Sequence, residues 1–292
     1  MDVVVITGPT ASGKSDLAIR LAHKINGEII SADSLQIYKY MDIGTAKETN
    51  FSVPHHMIDI VTPDQAFSVA DYQALAREKI DEVQKRGKIP IVTGGTGFYI
   101  NALLYNVTFE EEPDYAYRDT LIKLAKEKGE EELYNMLKNI DPDYAKTIHQ
   151  NNVAKISRAI EYHKTTGKKL SEHNNETDNK KPMYNHKTFI IDIDREILYK
   201  RINQRVDIMI EQGLIEEVKT LLKMGYTKDL APMGSIGYKE IVKYINGEIF
   251  LDKALCDIKQ NTRRYAKRQI TWLRNKTDGC WIKPDEEITL HI

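Results

Sequence analysis

The feature that most constrains the fold lies near the start of the chain. The run Val3-Val4-Val5-Ile6 leads through Gly8-Pro9-Thr10-Ala11-Ser12-Gly13-Lys14-Ser15 into a stretch with apolar residues at Leu17, Ala18, Leu21 and Ile25. An unbroken β-branched run reads as a strand buried on both faces, and the apolar spacing after it reads as a helix. The glycines let the intervening loop curl so that successive N–H groups point inward, while the helix contributes its positive end. Lys14 adds a mobile cation, and Ser15 adds a hydroxyl suited to Mg²⁺. A strand, such a loop and a helix, in that order, bind phosphate and form the first half of a βαβ unit.

Short apolar runs recur at Glu28-Ile29-Ile30-Ser31, Met57-Ile58-Asp59-Ile60, Ile89-Pro90-Ile91-Val92-Thr93 and Phe189-Ile190-Ile191-Asp192-Ile193, mostly with helical patterns between them. The expected fold is α/β: a P-loop nucleoside-triphosphate-hydrolase-like parallel sheet flanked by helices. From Glu110-Glu111-Glu112-Pro113 to the polar stretch Asn174 to Pro182, strand-like runs give way to helical periods of mixed charge. We therefore expect a core of residues 1–108 and 187–292 and a helical insert of residues 109–186. The strand Ile89 to Thr93 ends in Gly94-Gly95-Thr96-Gly97 and not in an acid that would hold Mg²⁺, although Asp59 is available on another run. Those small residues make either a tight turn or a place where a second substrate approaches the backbone.

Composition excludes several classes. No apolar run nears the roughly 20 residues that span a bilayer, and the acid at Asp2 does not resemble a secretory leader, so a cytoplasmic enzyme is expected. The two cysteines, Cys256 and Cys280, lack zinc-site spacing and read as packing residues. With 42 Lys and Arg against 43 Asp and Glu, nucleic-acid binding requires local clustering. Lys259, Arg263, Arg264, Lys267, Arg268, Arg274 and Lys276 supply a cluster with no intervening acid. On a helix, Lys259, Arg263 and Lys267 form one row and Arg264 and Arg268 another, with Ile258, Tyr265 and Trp272 facing the core.

Asp33 follows the second strand at the edge where open α/β sheets place ligands, either as a helix cap or as a base near the loop. It heads Ala32-Asp33-Ser34-Leu35-Gln36-Ile37-Tyr38-Lys39-Tyr40-Met41-Asp42-Ile43-Gly44-Thr45-Ala46-Lys47. With the phosphate loop, His55-His56-Met57-Ile58-Asp59, Gly94-Gly95-Thr96-Gly97-Phe98-Tyr99, Ile236-Gly237-Tyr238-Lys239-Glu240 and Thr262-Arg263-Arg264-Tyr265-Ala266-Lys267-Arg268-Gln269-Ile270-Thr271-Trp272, this block closely resembles tRNA dimethylallyltransferases over nearly the whole chain.

The resemblance implies transfer of a dimethylallyl group from its diphosphate to N6 of adenosine 37, beside the tRNA anticodon, by a Mg²⁺-dependent monomer. It gives Lys14 and the loop Gly8 to Ser15 the leaving diphosphate, Ser15 the metal, and Asp33 the proton of the attacking amine. Thr96 would contact the reacting nucleotide, and Ser34, Leu35 and Gln36 its neighbours. Arg201 and Arg205, one helical turn apart, would close over the diphosphate, with Arg205 preferred. Gly237, Tyr238 and Lys239 would join Arg263, Arg264, Lys267 and Arg268 on the RNA, and Arg118, Lys155 and Arg158 would grip the anticodon stem-loop. Lys155 stands where the family commonly has Arg, so a forked phosphate contact becomes single-pointed, and Gly234 occupies a position often filled by Gln. The cysteine count matches the bacterial type and not relatives with a zinc finger. Three competing readings are a transferase acting on free adenine nucleotide, which needs no basic helix, a small-molecule kinase, which consumes ATP, and a non-catalytic RNA-binding protein.

Overall fold

A computed structural model describes residues 2–48, 52–105, 107, 114–178 and 181–290. The chain forms two compact units, one of residues Met1–Leu104 with Tyr184–Ile292 and one of residues Tyr105–Met183. The first begins with β1 (Val3–Thr7), α1 (Lys14–Ile25), β2 (Gly27–Ser31), β3 (His55–His56), α2 (Val69–Lys85), β4 (Ile89–Gly94) and α3 (Gly97–Leu104). The second holds α4 (Tyr115–Lys128), α5 (Glu130–Ile140), α6 (Pro142–Thr147), α7 (Val153–Thr166) and α8 (Leu170–Asp178). The chain then returns through β5 (His186–Ile191), α9 (Arg195–Glu211), α10 (Leu214–Lys223), a 3₁₀ turn at Pro232–Gly234, α11 (Tyr238–Ile245), α12 (Leu251–Lys276) and β6 (Cys280–Ile282).

The six strands are all parallel, in the order β3-β2-β4-β1-β5-β6. β1 lies inside the sheet, pairing Val4 with Ile91 on one side and Val5 with Thr188 on the other, and all its residues are buried. Helices cover both faces of such a sheet, which is why its strands read as unbroken apolar runs. Leu17, Leu21 and Ala22 of α1 pack on Val4, Ile6, Ile29 and Ile91. The phosphate-loop segment and the residues after β2 and β4 therefore gather at the carboxyl edge of the sheet, beside the order reversal at β1 and β4.

Residues 57–60, expected to form a strand, do not. Met57 and Asp59 adopt positive φ of 64° and 56°, which ends β3 after His56. Asp59 and Ile60 instead donate their N–H groups to the carbonyls of Gln36 and Ile37. The carboxylate of Asp59 pairs with Lys47, whose ammonium also reaches Asp42 and the Tyr38 carbonyl. Asp59 is thus engaged in tying its own turn, through Lys47, to Tyr38 and Asp42. The strand β6 escaped sequence reading because only Ile282 of its three residues is buried. Cys256 and Cys280, expected to pack inside, are both exposed.

The unit Tyr105–Met183 has its own core, with Leu133 and Leu137 of α5 against Ile156, Ala159 and Ile160 of α7. Asp141 caps α6 through Tyr144 N–H and also accepts from Ser171 N–H at 2.8 Å. Of the expected boundaries of the insert, Glu110 to Pro113 lie outside the described residues, as do 179 and 180. Among the described residues no helix is long and apolar enough to cross a membrane.

A second core joins residues 35–43 to α9, α10, α11 and α12 through Ile37, Met41, Val206, Leu214, Val218, Tyr238 and Ile258. Its polar keystone is Glu217. One carboxylate oxygen accepts from the N–H groups of Asp42 and Ile43 at 2.9 and 2.7 Å, and the other accepts from Gly44 N–H and the Tyr238 hydroxyl at 3.1 and 2.7 Å. Gly44 lies so close to the Tyr238 ring that a Cβ there would sit 2.4 Å from it. Replacing Glu217 by Ala strands these donors and should cost on the order of 2–3 kcal/mol. Both tryptophans, Trp272 and Trp281, lie in the sheet-containing unit, so urea unfolding followed by their fluorescence reads this loss.

Candidate active site

The loop between β1 and α1 is held open by its surroundings. Gly13 has φ 90° and Ala11 φ 63°, the left-handed region that glycine enters freely and alanine enters at about 1 kcal/mol. Packing of Ala11 against Leu198, Ile202 and Ala266 holds that conformation. A Cβ at Gly8 would meet Ser12 Oγ at 2.9 Å and Ile191 Cβ at 3.0 Å, so this position needs bare backbone. Pro9 is buried beneath the turn, with its carbonyl accepting from Ser12 N–H and from the Lys14 ammonium, each at 3.3 Å. No side chain caps the head of α1, which leaves first-turn N–H groups directed at the cavity.

That cavity is lined by Thr10, Gly13, Lys14 and Ser15 together with Asp33 and Arg205. Burial pushes the Lys14 ammonium down to about 8; Asp33 pulls the other way and Arg205 adds to the depression. Burial likewise lowers the Arg205 guanidinium, against the attraction of Asp16 and Asp33. Two cations and one carboxylate therefore share a desolvated wall. Arg201 is placed differently: it donates to the Ser12 carbonyl at 3.4 Å and so braces the loop from outside.

Asp33 accepts from Leu35 N–H at 3.0 Å, forming a local turn directly after β2. Thr96 Oγ1 accepts from Ser34 N–H at 3.0 Å and lies 3.2 Å from Ser34 Oγ, which ties that turn to the end of β4. The close approach depends on Gly94, where a Cβ would lie 2.1 Å from the Ala32 carbonyl oxygen. Gln36 is committed internally, accepting from Ser31 Oγ and donating to the carbonyls of Thr45 and Ala46, while Leu35 packs on the second core. The Ser15 hydroxyl and the buried, unpartnered Thr93 Oγ1 are hard oxygen atoms on the cavity that Asp33 also lines, a setting that fits Mg²⁺ while leaving the Asp33 carboxylate free of the metal. Among the described residues no cluster of three His, Cys, Asp or Glu forms a metal cage. Mg²⁺ commonly takes its remaining ligands from water and phosphate.

Two residues of α12 belong to this site although sequence reading gave one of them, Gln269, no role and placed the other, Tyr265, in the core. Gln269 spans from Thr10 N–H, at 2.9 Å, to the Gly95 carbonyl, at 3.0 Å. Tyr265, expected in the core, is half-buried and contacts Thr96 and Gln269; burial, then the charge of Asp33, pushes its hydroxyl up to about 12. Trp272 lies against Gly97, where a Cβ would meet its ring at 2.4 Å. Positions 265, 269 and 272 share one helix face, and a glutamine on an otherwise aromatic face was the available signal.

The expected RNA contacts divide. Tyr238 is fully buried and bound to Glu217, and Gly237 is buried with φ 98° and its N–H on Glu240, so these two serve the fold. Lys239 is exposed. Lys259 pairs with Asp207 at 2.5 Å and Arg263 donates to Asn203 at 2.6 Å, whereas Arg264, Lys267 and Arg268 are exposed. The expected two-row stripe is therefore narrower, because one row leans on α9. In the helical unit, Lys155 and Arg158 are exposed on α7, but Arg118 pairs with the buried Glu161 at 2.7 Å and ties α4 to α7.

A parallel sheet with a glycine-rich phosphate loop at its carboxyl edge makes this a P-loop protein of the nucleoside-triphosphate-hydrolase-like fold. A family model described as IPP transferase matches residues 36–276, and one described as isopentenyl transferase matches residues 1–58. The chain belongs to the IPP transferase family. It is 53% identical over 289 residues to a curated tRNA dimethylallyltransferase of Acetivibrio thermocellus, covering 98% of this chain and 92% of that one. A Bacillus pumilus relative of the same name is 50% identical over 284 residues, with 96% and 89% covered. The crystal structure of a tRNA isopentenylpyrophosphate transferase from Bacillus halodurans superposes with a TM-score of 0.71 at 42% identity, covering 97% of this chain and 89% of its own. A eukaryotic dimethylallyltransferase solved acting on tRNA gives a TM-score of 0.78 at 31% identity, with 93% and 69% covered.

Lys14 attracts an anion only as the ammonium, so a pKa of about 8 makes the free site lose this cation as pH rises through that value. Arginine keeps its charge there. The ratio of diphosphate affinities of wild type and Lys14→Arg should hold steady below about pH 7.5 and fall by up to about tenfold per pH unit above about 8.5. Calorimetric titration across this range checks it, and a pH-independent ratio contradicts the assignment.

Proposed function

We propose that this chain transfers the dimethylallyl group of dimethylallyl diphosphate to N6 of adenosine 37 in a tRNA, releasing diphosphate. One observation carries the reading: phosphate-binding groups and the carboxylate of Asp33 line a single cavity at the sheet edge. The names of relatives about half identical over nearly the whole chain agree with it.

In the proposed reaction the bond from the allylic carbon to the diphosphate oxygen breaks, and its electron pair leaves on oxygen. The N–H groups at the head of α1, Lys14 and Arg205 face the charge that develops. Adenine N6 forms the new bond to carbon, and its proton passes to a carboxylate oxygen of Asp33. Thr96 holds the Asp33-Ser34 turn in place through Ser34 N–H and contacts the nucleotide. The Ser15 hydroxyl would hold Mg²⁺, which when bound would add positive charge beside the departing diphosphate. The base must leave its stack to reach this cavity. Arg264, Lys267 and Arg268 are proposed to meet the tRNA backbone, and Lys155 and Arg158 the anticodon stem-loop. The protein is proposed to act as a cytoplasmic monomer.

Purified protein with dimethylallyl diphosphate, Mg²⁺ and an unmodified anticodon stem-loop should yield RNA carrying one five-carbon adduct by mass; its absence at saturating donor sinks the reading. Asp33→Ala should lower single-turnover rates by roughly 10²- to 10⁴-fold with RNA affinity nearly unchanged. Neutralising Arg264, Lys267 and Arg268 together should weaken RNA binding and reduce the slope of log affinity against log salt by about 2–3. An unchanged slope argues against that face.

A further inference from the structure

Helix α3 is apolar along most of its length and buries nearly everything apolar that it carries. Tyr99, Ile100, Ala102, Leu103 and Leu104 are buried, whereas Phe98 is 71% exposed. A phenylalanine left in water forgoes the gain of burial, so the packing of the core does not explain it. Lone exposed apolar side chains are common on proteins, and it is position and rigidity that set this one apart.

The backbone of Phe98 is fixed from both sides. Before it, Gly97 lies so near the Trp272 ring that a Cβ would sit 2.4 Å from it. After it, Tyr99 stacks on the buried Tyr72 with ring centroids 3.9 Å apart. Two residues earlier, Thr96 Oγ1 accepts from Ser34 N–H at 3.0 Å, and Ser34 directly follows Asp33. The ring is therefore a rigid apolar projection on the carboxylate side of the site. Arg264 and Arg268 share one row of α12 with Trp272, at four-residue spacing, and both are exposed. Contact of Trp272 with Gly97 brings that row up to the head of α3. An aromatic ring beside cations suits a nucleic acid, whose bases stack on the ring while its phosphates take the charges. A base drawn out of its loop gives up stacking with its neighbours, a cost that an apolar side chain wedged into the gap offsets.

We propose that Phe98 enters the RNA loop at the place vacated by the reacting adenosine and stacks there on the adjoining base. The inference rests on the reading of the acceptor as an adenosine in an RNA loop, and it adds what holds that loop open.

An anticodon stem-loop with 2-aminopurine in place of the reacting adenosine tests this on the full chain without any donor, because the probe brightens when it leaves its stack. Wild type should bind the stem-loop and brighten it. Phe98→Ala should weaken binding by about ten- to a hundredfold and lower the brightening at saturating protein. Phe98→Trp should restore both, since stacking needs a flat ring and not a particular one. Diphosphate affinity, read by calorimetry, should be equal in all three proteins, because Phe98 does not line the phosphate cavity. Unchanged affinity and brightening in Phe98→Ala overturn the proposal, as does a variant whose diphosphate affinity falls in step, the mark of a structural role. Wild type that leaves the stem-loop unbound refutes the RNA reading and this inference together. A natural stem-loop that wild type and Phe98→Ala bind and convert equally well refutes the wedge alone and leaves the reaction standing.

Discussion

Much of this molecule serves to keep one stretch of backbone open. Amide groups that wait for a phosphate cannot satisfy each other, so the loop after β1 gains little from its own hydrogen bonds and must be held by neighbours. Three supports come from distant parts of the chain. Ala11 is wedged among Leu198, Ile202 and Ala266, the Ser12 carbonyl accepts from Arg201, and Thr10 is tied through Gln269 to Gly95. Preorganisation of this kind places donors before charge develops, so the reaction need not reorganise them.

The carboxylate side of the cavity is built by the same logic from a different segment. The described residues of 33–48 and 52–61 pair little with the sheet and carry positive φ at Tyr40, Ala46, Met57 and Asp59, conformations that tertiary contacts must sustain. Lys47 draws together Tyr38, Asp42 and Asp59, while Glu217 and Tyr238 fasten residues 42–44 to α10 and α11. Asp33 stands at the head of this segment, fixed to β4 through Ser34 and Thr96. Helices far along the chain thus set the position of a residue near its start.

Charge follows packing. Lys14 and Arg205 are both pushed down by burial and both drawn back by Asp33, so the carboxylate permits two cations to coexist in a desolvated wall. The diphosphate proposed as ligand would add negative charge to a cavity that both cations line.

Periodicity and local motif were enough for the parallel sheet and the phosphate loop. Strands buried on both faces leave apolar runs, and the loop's chemistry is contiguous from Gly8 to Ser15. Asp33, Lys14 and Arg205 were also legible as candidates, and the fold gathers them on one cavity. Sequence alone could not separate residues that face a ligand from residues that hold the site. Tyr238 stands in a recognisable block and is fully buried on Glu217, Arg118 is consumed by Glu161, and Gln269 lies hidden in a basic stretch. Which side of a side chain meets solvent depends on partners 21, 43 and 259 positions away. Hydrogen bonding over such separations leaves no periodic trace in the chain, so only the tertiary structure decides it.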